Sequence, residues 1–374
     1  MKILELMNTN PDWMEIIQSA PYNVTIKNDG EYYLLKYNQL SSDFNEEIVR
    51  ECRGSIFRLE GTEWICVCHP FDKFGNYGES YCPDIDWENA CVYEKVDGSL
   101  MKMWYDRGQW HLSTNGTIDA YKAEMDAWGK TFGEYFEYAL EQFYGMTIDM
   151  IETFMDKGCT YMFELVGPQN RLVVEYVLPC VYFLGVRDRF MGDKEFDPSL
   201  DRLARFILQP GIYNLTSLEE CLKAAAAMSR NEEGFVVCDD NFNRIKIKSA
   251  EYLLAAHLHN NGVITPRRII RMLMNDQIDD FLAYCPQYKD DVDDIIVSIK
   301  NFVESMEAEE DAARPYFNLN AKEFWSAISS FKYKDFLARC HKDNTLTAKE
   351  YIKYNLEGRG VDWLLNRLEE YYGR

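Results

Sequence analysis

Positive charge is scarce in this chain. Forty Lys and Arg stand against 62 Asp and Glu, for a formal net charge of −22. The deficit is −17 over residues 1–250 and −5 over 251–374. A protein that coats nucleic acid through bulk charge needs the opposite balance, so that class is excluded. An enzyme that holds a few phosphates in a local basic cleft is not. Metal-binding cysteine patterns are missing as well: the 11 cysteines are odd in number and scattered, with no zinc spacing. Free thiols of this kind suit a reducing cytoplasm. The N-terminus has no uninterrupted apolar core of signal-peptide length, and no apolar run is long enough to span a bilayer. A cytoplasmic protein without a membrane partner is the expectation. Internal repeats and low-complexity tracts are also absent.

What is present points to folded, two-domain material. The 374 residues are 47% apolar and 14% aromatic, enough for two cores. Residues 1–90 alternate short extended segments with turns: 31–37, 54–58 and 64–68, with Asn28-Asp29-Gly30 as a hairpin turn. A helical pattern covers 119–158. Strand patterns return at 160–166, 171–176 and 180–186. A helix is expected over 217–229, entered at Ser217 with Glu220 three residues on. Gly234–Cys238 and Arg244–Lys248 form a hairpin. Beyond about 250 the pattern turns helical, at 250–260, 266–284, 291–312, 321–340, 347–356 and 361–373. The fold class expected is α+β: antiparallel sheets with flanking helices over 1–255, then an all-α domain over 256–374.

The chemistry centres on Lys95 in Glu94-Lys95-Val96-Asp97-Gly98-Ser99. A lysine between two strands is poor packing material and a good covalent nucleophile once deprotonated. Asp97 shares its face on an extended chain. Gly98 lets the backbone bend or approach a ligand closely. Taken alone, the pattern is common by chance, and a surface Lys-x-Asp pair before a turn explains it better. A second feature is Arg244-Ile245-Lys246-Ile247-Lys248, where alternation sets three cations on one strand face. They call for anions, and a polyphosphate would serve; a solvated basic strand is the plain alternative. Glu164 is a single acid inside an apolar strand, and Glu233 directly precedes another. Carboxylates so placed must be paired or lie near a metal, and two of them near a phosphate suit Mg²⁺. Arg53, Lys73 and Phe74 sit in tight turns at strand ends.

Taken in order, these segments resemble the bacteriophage T4 RNA ligase 1 family of covalent nucleotidyltransferases. The likeness runs through ECRG (Arg53), DKFGN (Lys73, Phe74), KVDG (Lys95, Asp97, Gly98), STNGT, FELVGPQNRLVVEY (Glu164), EEGFVV (Glu233) and KIKSAEY (Lys246, Lys248, Tyr252), over about residues 50–255. In STNGT the family often has a lysine where this chain has Asn115, so Asn115 is given no role. More faintly, Ile278-Asp279-Asp280-Phe281 resembles the family's acidic pair for a second metal.

The resemblance implies an ATP-dependent RNA ligase with an adenylyltransferase domain, ATP as co-substrate and Mg²⁺ or Mn²⁺ as metal. It implies Lys95, Lys246, Lys248, Glu233 and Glu164 as catalytic residues. Arg53, Lys73, Phe74, Asp97, Gly98 and Tyr252 would contact nucleotide or phosphate, with Asp97 alternatively holding Lys95 in place. Glu164, Glu233, Asp279 and Asp280 would serve the metals. The implied partners are RNA with 5′-phosphate and 3′-hydroxyl ends, such as a cleaved tRNA, and an RNA end-healing kinase/phosphatase. If the chain is phage-encoded, the cytoplasm is that of a bacterial host. DNA ligases and GTP-using capping enzymes share the lysine and the Lys-x-Lys strand, but usually follow it with a β-rich domain. A non-catalytic RNA-binding protein on the same fold is the alternative from another class.

Overall fold

The computed structural model describes residues 1–374 apart from 40, 126–128, 171–172, 191–192, 230, 250–264, 275–277, 279–280, 283–287, 344 and 373–374. Two compact units, Met1–Gly262 and Val263–Arg374, make up the chain. Among the described residues no helix is long and apolar enough to cross a membrane.

Three antiparallel sheets organise the first unit. Sheet one joins β1 (Thr25–Asp29), β2 (Tyr32–Lys36), β3 (Arg53–Glu60) and β4 (Glu63–Cys68) in chain order. Sheet two runs in the order β12 (Lys194–Phe196), β11 (Cys180–Asp188), β10 (Cys159–Val166), β6 (Ser99–Asp106), β7 (Gln109–Thr114). Sheet three runs β13 (Ile212–Tyr213), β5 (Cys91–Glu94), β14 (Gly234–Cys238), β15 (Arg244–Lys248). A two-stranded ribbon of β8 (Glu124–Met125) and β9 (Lys130–Thr131) stands apart.

Strand alternation sorts the side chains into layers. On sheet one, Leu35 and Phe57 face α1 (Lys2–Thr9) and α2 (Trp13–Gln18), packing with Ile3, Met7, Trp13 and Ile17. Leu34 and Ile56 point the other way and meet Trp104 of β6. On sheet two, Met101, Met103, Tyr161 and Phe163 cover Phe136 and Leu140 of α4 (Phe132–Tyr144). The intervening positions on β6 and β10 therefore face sheet one, and Lys102 and Glu164 are among them. Sheet three packs Phe235, Ile245 and Ile247 against Cys221 and Ala225 of α6 (Leu218–Ala227). Ser217 accepts the Glu220 N–H at the head of that helix.

In the first unit two expected elements differ. The helical pattern at 119–158 starts late: Ala120–Lys122 is a 3₁₀ turn capped by Asp119, the β8–β9 ribbon follows, and α4 begins only after Thr131. Thr131 forms a reciprocal capping box with Glu134, which fixes the start there. The strand expected over 171–176 is not formed at the described residues 173–176. Asp97 takes up the N–H groups of Val173 and Val174, so those donors are not available to a ladder.

The second unit is helical throughout its described residues, with helices at Pro266–Met274, Lys289–Ala313, Ala321–Ala327, Lys334–Cys340, Ala348–Arg359 and Val361–Tyr372. The single helix expected over 321–340 is two. Glu309 receives the N–H groups of Lys332 and Tyr333, at 2.9 and 2.8 Å, and so fixes the connection just ahead of the second piece. An α+β unit followed by a helical one is the class the sequence pattern implied.

Removing the Thr131 cap by Thr131→Ala should cost about 1 kcal/mol of stability. Urea denaturation followed by far-UV circular dichroism checks this. An unchanged midpoint would mean that tertiary packing alone starts α4.

Candidate active site

Sheet three brings the central group together through its backbone. Lys95 leaves β5 with its N–H on the Gly234 carbonyl at 2.9 Å, and Ser249 donates to the Glu233 carbonyl at 2.8 Å. Gly234 sits opposite Lys248 in the ladder. One end of the sheet thus carries Lys95, Glu233 and Lys248. Glu233 Oε2 lies 2.6 Å from Lys95 Nζ, and Oε1 lies 2.7 Å from Lys248 Nζ. The Glu233 side chain is only 3% exposed, against 20% for Lys95. Burial alone would raise the Glu233 carboxyl, but Lys248 and then Lys95 outweigh it and hold it below the ordinary range. Lys95 is the member of the group most open to a ligand.

Residues 95–98 cross from sheet three to sheet two, and the crossing is tight. A Cβ on Gly98 would lie 2.4 Å from the Leu165 carbonyl oxygen and 2.8 Å from Val166 Cγ1. Only glycine lets the chain pass beneath β10. Asp97 is buried, and its Oδ2 accepts from Val173 and Val174 at 2.9 and 2.8 Å. Its own N–H donates to the Tyr176 hydroxyl at 3.1 Å. Of the two roles open to Asp97, this inward-turned carboxylate fits the one of holding the Lys95 crossing in place.

Glu164 arrives from β10, opposite Leu100 of β6. Burial pushes its carboxyl up to about 8, Lys95 opposes this, and the Glu233 charge adds to it. The two glutamates therefore feel each other's charge across the site. Among the described residues no group of three or more His, Cys, Asp or Glu could hold a metal directly. Two carboxylates in mutual repulsion fit a hydrated Mg²⁺, which keeps most of its waters. Tyr252, Asp279 and Asp280 lie outside the described residues.

The remaining cations divide. The Arg53 guanidinium and the Lys246 ammonium both lie against the Phe74 ring, 5.5 and 5.4 Å from its centre, so the ring is a meeting point for two cations. The Arg53 Nη1 is buried without a hydrogen-bond partner. Lys73 is placed differently from an open phosphate ligand: it is buried, its ammonium over Tyr37 and Phe44 at 5.2 and 4.9 Å. Arg244 does not act with Lys246 and Lys248. It pairs with Glu195 of β12 at 2.6 Å and covers Phe71 at 4.3 Å. Glu195 also binds Arg187 at 2.8 Å, and Arg187 joins a buried cluster with His69, which is held by Asp193 and Asp72. The motif reading passed over Lys102, a lone cation in the apolar strand Leu100–Trp104.

Comparison with known proteins adds a family to this geometry. A sequence model described as RNA ligase, of the T4 type 1 group, matches residues 51–252, more than half of the chain. A protein of Autographa californica nuclear polyhedrosis virus, which carries the name of a bifunctional polynucleotide kinase/RNA ligase, is 30% identical over 89% of this chain and 49% of its own length. The chain thus spans about half of that relative. An RNA ligase of Rhodothermus phage RM378 is 27% identical over 69% of this chain and 71% of its own. Among solved structures, an archaeal ATP-dependent RNA ligase matches with a TM-score of 0.47 and 12% identity, over 78% of this chain and 77% of that one.

The raised Glu164 carboxyl has a consequence for stability. The folded protein keeps this proton up to about pH 8, whereas an unfolded glutamate loses it near 4.5. Stability from this group is therefore present at low pH and lost as pH rises through that window. In metal-free buffer, Glu164→Gln should gain stability relative to wild type across the same interval. Thermal melts of both proteins over that range check it; a difference independent of pH would show that Glu164 titrates normally.

Proposed function

The chain belongs to the T4 RNA ligase 1 family, and we propose that it joins RNA ends with ATP through a lysyl-adenylate on Lys95. The observation that carries this reading is the Lys95–Glu233–Lys248 group: a partly exposed lysine held by a buried carboxylate that a second buried lysine also holds. The trio carries one net positive charge beside its most open member, Lys95, which suits an anionic ligand.

The reaction has three in-line transfers at phosphorus. First, Lys95 Nζ attacks the α-phosphate of ATP; the N–P bond forms, the bond to the β-phosphate oxygen breaks, and pyrophosphate leaves. Next, the RNA 5′-phosphate oxygen attacks the same phosphorus and releases Lys95, giving an RNA with a 5′–5′ linked AMP. Finally, the 3′-hydroxyl attacks the RNA phosphate, loses its proton and expels AMP. Positioning and charge neutralisation do most of the work in such steps. Lys246 and Lys248 bind the α-phosphate and stabilise its equatorial charge. Arg53 contacts the triphosphate end or the RNA phosphate, and Asp97 fixes the crossing that carries the nucleophile. Glu164 and Glu233 would order the water shell of a divalent cation, Mg²⁺ or Mn²⁺, which supplies charge neutralisation at the phosphates. Tyr252 and the pair Asp279 and Asp280 keep the nucleotide and second-metal roles that the family implies.

The first unit is then the adenylation domain. We assign RNA recognition to the helical unit, with single-stranded ends such as those of a cleaved tRNA loop as target. The viral relative's name joins a polynucleotide kinase to an RNA ligase, which supports an end-healing kinase/phosphatase as functional partner. Cytoplasm is the compartment we propose.

Incubation with α-³²P-ATP and Mg²⁺, followed by denaturing electrophoresis, should label the wild type. Lys95→Ala should not label, and GTP should not replace ATP. Lys246→Ala and Glu233→Ala should lose at least about two orders of magnitude in sealing of 5′-phosphorylated RNA while remaining folded. Sealing by Lys95→Ala at the wild-type rate would sink the mechanism.

A further inference from the structure

Lys102 is hard to explain as packing material. It lies on β6 with 0% exposure, on the face turned to sheet one, where its neighbours along the layer include Leu34, Ile56 and Trp104. Its ammonium donates to the Gly54 carbonyl. Among the described residues no carboxylate pairs with it. The charged and titratable groups facing it are Arg53 from β3, Lys36 from β2, and Cys66 and Cys68 from β4. Burial first, then the like charges of Arg53 and Lys36, hold its amine down at about 8, while Cys68 opposes them. An unpaired ammonium in such a layer is destabilising, and an apolar side chain would pack there more favourably.

Gly54 shows what Lys102 holds together. A Cβ at that position would come within 2.6 Å of the Asn115 carbonyl oxygen, 2.9 Å of Lys102 Nζ and 3.0 Å of Asn115 Oδ1. The start of β3, the turn after β7 and the Lys102 ammonium thus converge on one point. Two polar atoms on the segments that meet there, Arg53 Nη1 and Asn115 Oδ1, are buried and lack a hydrogen-bond partner. An arginine with an unsatisfied donor, whose like charge bears on a second buried cation, favours an anion nearby. The spot borders the candidate active site, since the Arg53 charge acts on Glu164.

We propose that Lys102 is a positioning residue for the nucleotidyl transfer: it holds the Arg53–Gly54 start of β3 against the Asn115 turn, so that the Arg53 guanidinium meets a phosphate of the substrate. The incoming phosphate supplies the counter-charge that the fold itself withholds from Lys102. This rests on the ligase reading above. The phosphate belongs either to the tail of ATP or to the 5′ end of the RNA, and the two sources act in different steps.

The test uses the full chain and Lys102→Met, which keeps the length and removes the charge, with Lys102→Arg as the conservative variant. In one arm, single-turnover lysyl-adenylate formation is followed against ATP concentration. In the other, isolated enzyme-adenylate is mixed with 5′-phosphorylated RNA. In the arm whose phosphate meets Arg53, Lys102→Met should raise the half-saturating concentration roughly tenfold or more, with a smaller loss in maximal rate. Lys102→Arg should recover part of it. The wild type should lose activity in that arm as pH rises past about 8, where Lys102 gives up its proton, and Lys102→Met should lack this limb. Wild-type concentration and pH dependence for Lys102→Met in both arms would overturn the proposal. If Lys102→Met does not fold, the wild-type profile decides, and the absence of the alkaline limb overturns it. Failure of the wild type to form an adenylate at all would instead remove the ligase reading, and this inference with it.

Discussion

Glu233 buried between Lys95 and Lys248 is the interaction on which the rest of the first unit depends. A carboxylate that is 3% exposed stays ionised only because two ammoniums lie within 2.7 Å of its oxygens. Removing Glu233 leaves Lys248 buried without this carboxylate, a destabilising change that the packing of the sheet has to absorb. The backbone is built to keep them together. The Lys95 N–H is tied to Gly234, and the Ser249 N–H to Glu233, so the ends of β5, β14 and β15 are fastened to one another by main-chain bonds as well as by charge. The proposed nucleophile is therefore held at the strand end by a main-chain bond to β14, which suits chemistry that relies on in-line geometry.

From that trio the site spreads by short, crowded connections. Four residues carry the chain from the lysine into sheet two, and Gly98 is the one that lets them pass beneath Leu165. The same crossing sets Glu164 beside the trio, because β6 begins at Ser99 and pairs with β10 at once. Asp97 pins the far side of the crossing to Val173 and Val174. Sheet one contributes from the opposite layer, with Arg53 at the first residue of β3 and Phe74 between Arg53 and Lys246. Three sheets thus each deliver one component, and none of them holds the site alone.

How far this was legible in the sequence depends on the range of the forces involved. The α+β class followed by a helical unit followed from periodicity, a local property. The hairpin carrying Lys246 and Lys248 was readable for the same reason, as were the isolated acids Glu164 and Glu233 at apolar strands. What escaped was decided by partners distant in the chain. Arg244 reads as one cation of three on a strand face, yet Glu195, 49 residues earlier, draws it into a different buried cluster. Lys73 reads as an exposed turn cation, yet Tyr37 and Phe44 enclose it. Residues 173–176 carry a strand pattern, but their N–H groups go to Asp97, and no local signal announces that. The helix expected from 119 was delayed by a ribbon and a capping box whose letters, Thr131 and Glu134, are visible once the start is known.

Lys102 belongs to the same class of hidden residue, and its charge explains why the site is not a well-solved packing problem. Around one cleft the fold gathers like charges on both sides. Burial, with the Glu233 charge adding to it, keeps Glu164 protonated to about pH 8. Burial, with the like charges of Arg53 and Lys36 adding to it, pulls the Lys102 amine down to about 8. Bringing the two sets into direct pairs would relieve both. The trio around Glu233 does so, while the buried Nη1 of Arg53 lacks a hydrogen-bond partner. A ligand that carries phosphates together with a divalent cation relieves both repulsions at once: the cation answers the carboxylates and the phosphates answer the lysines and arginine. Stability given up to these repulsions is then returned on binding, and that difference is what a nucleotidyl-transfer site can use to discriminate its charged substrates from neutral ones.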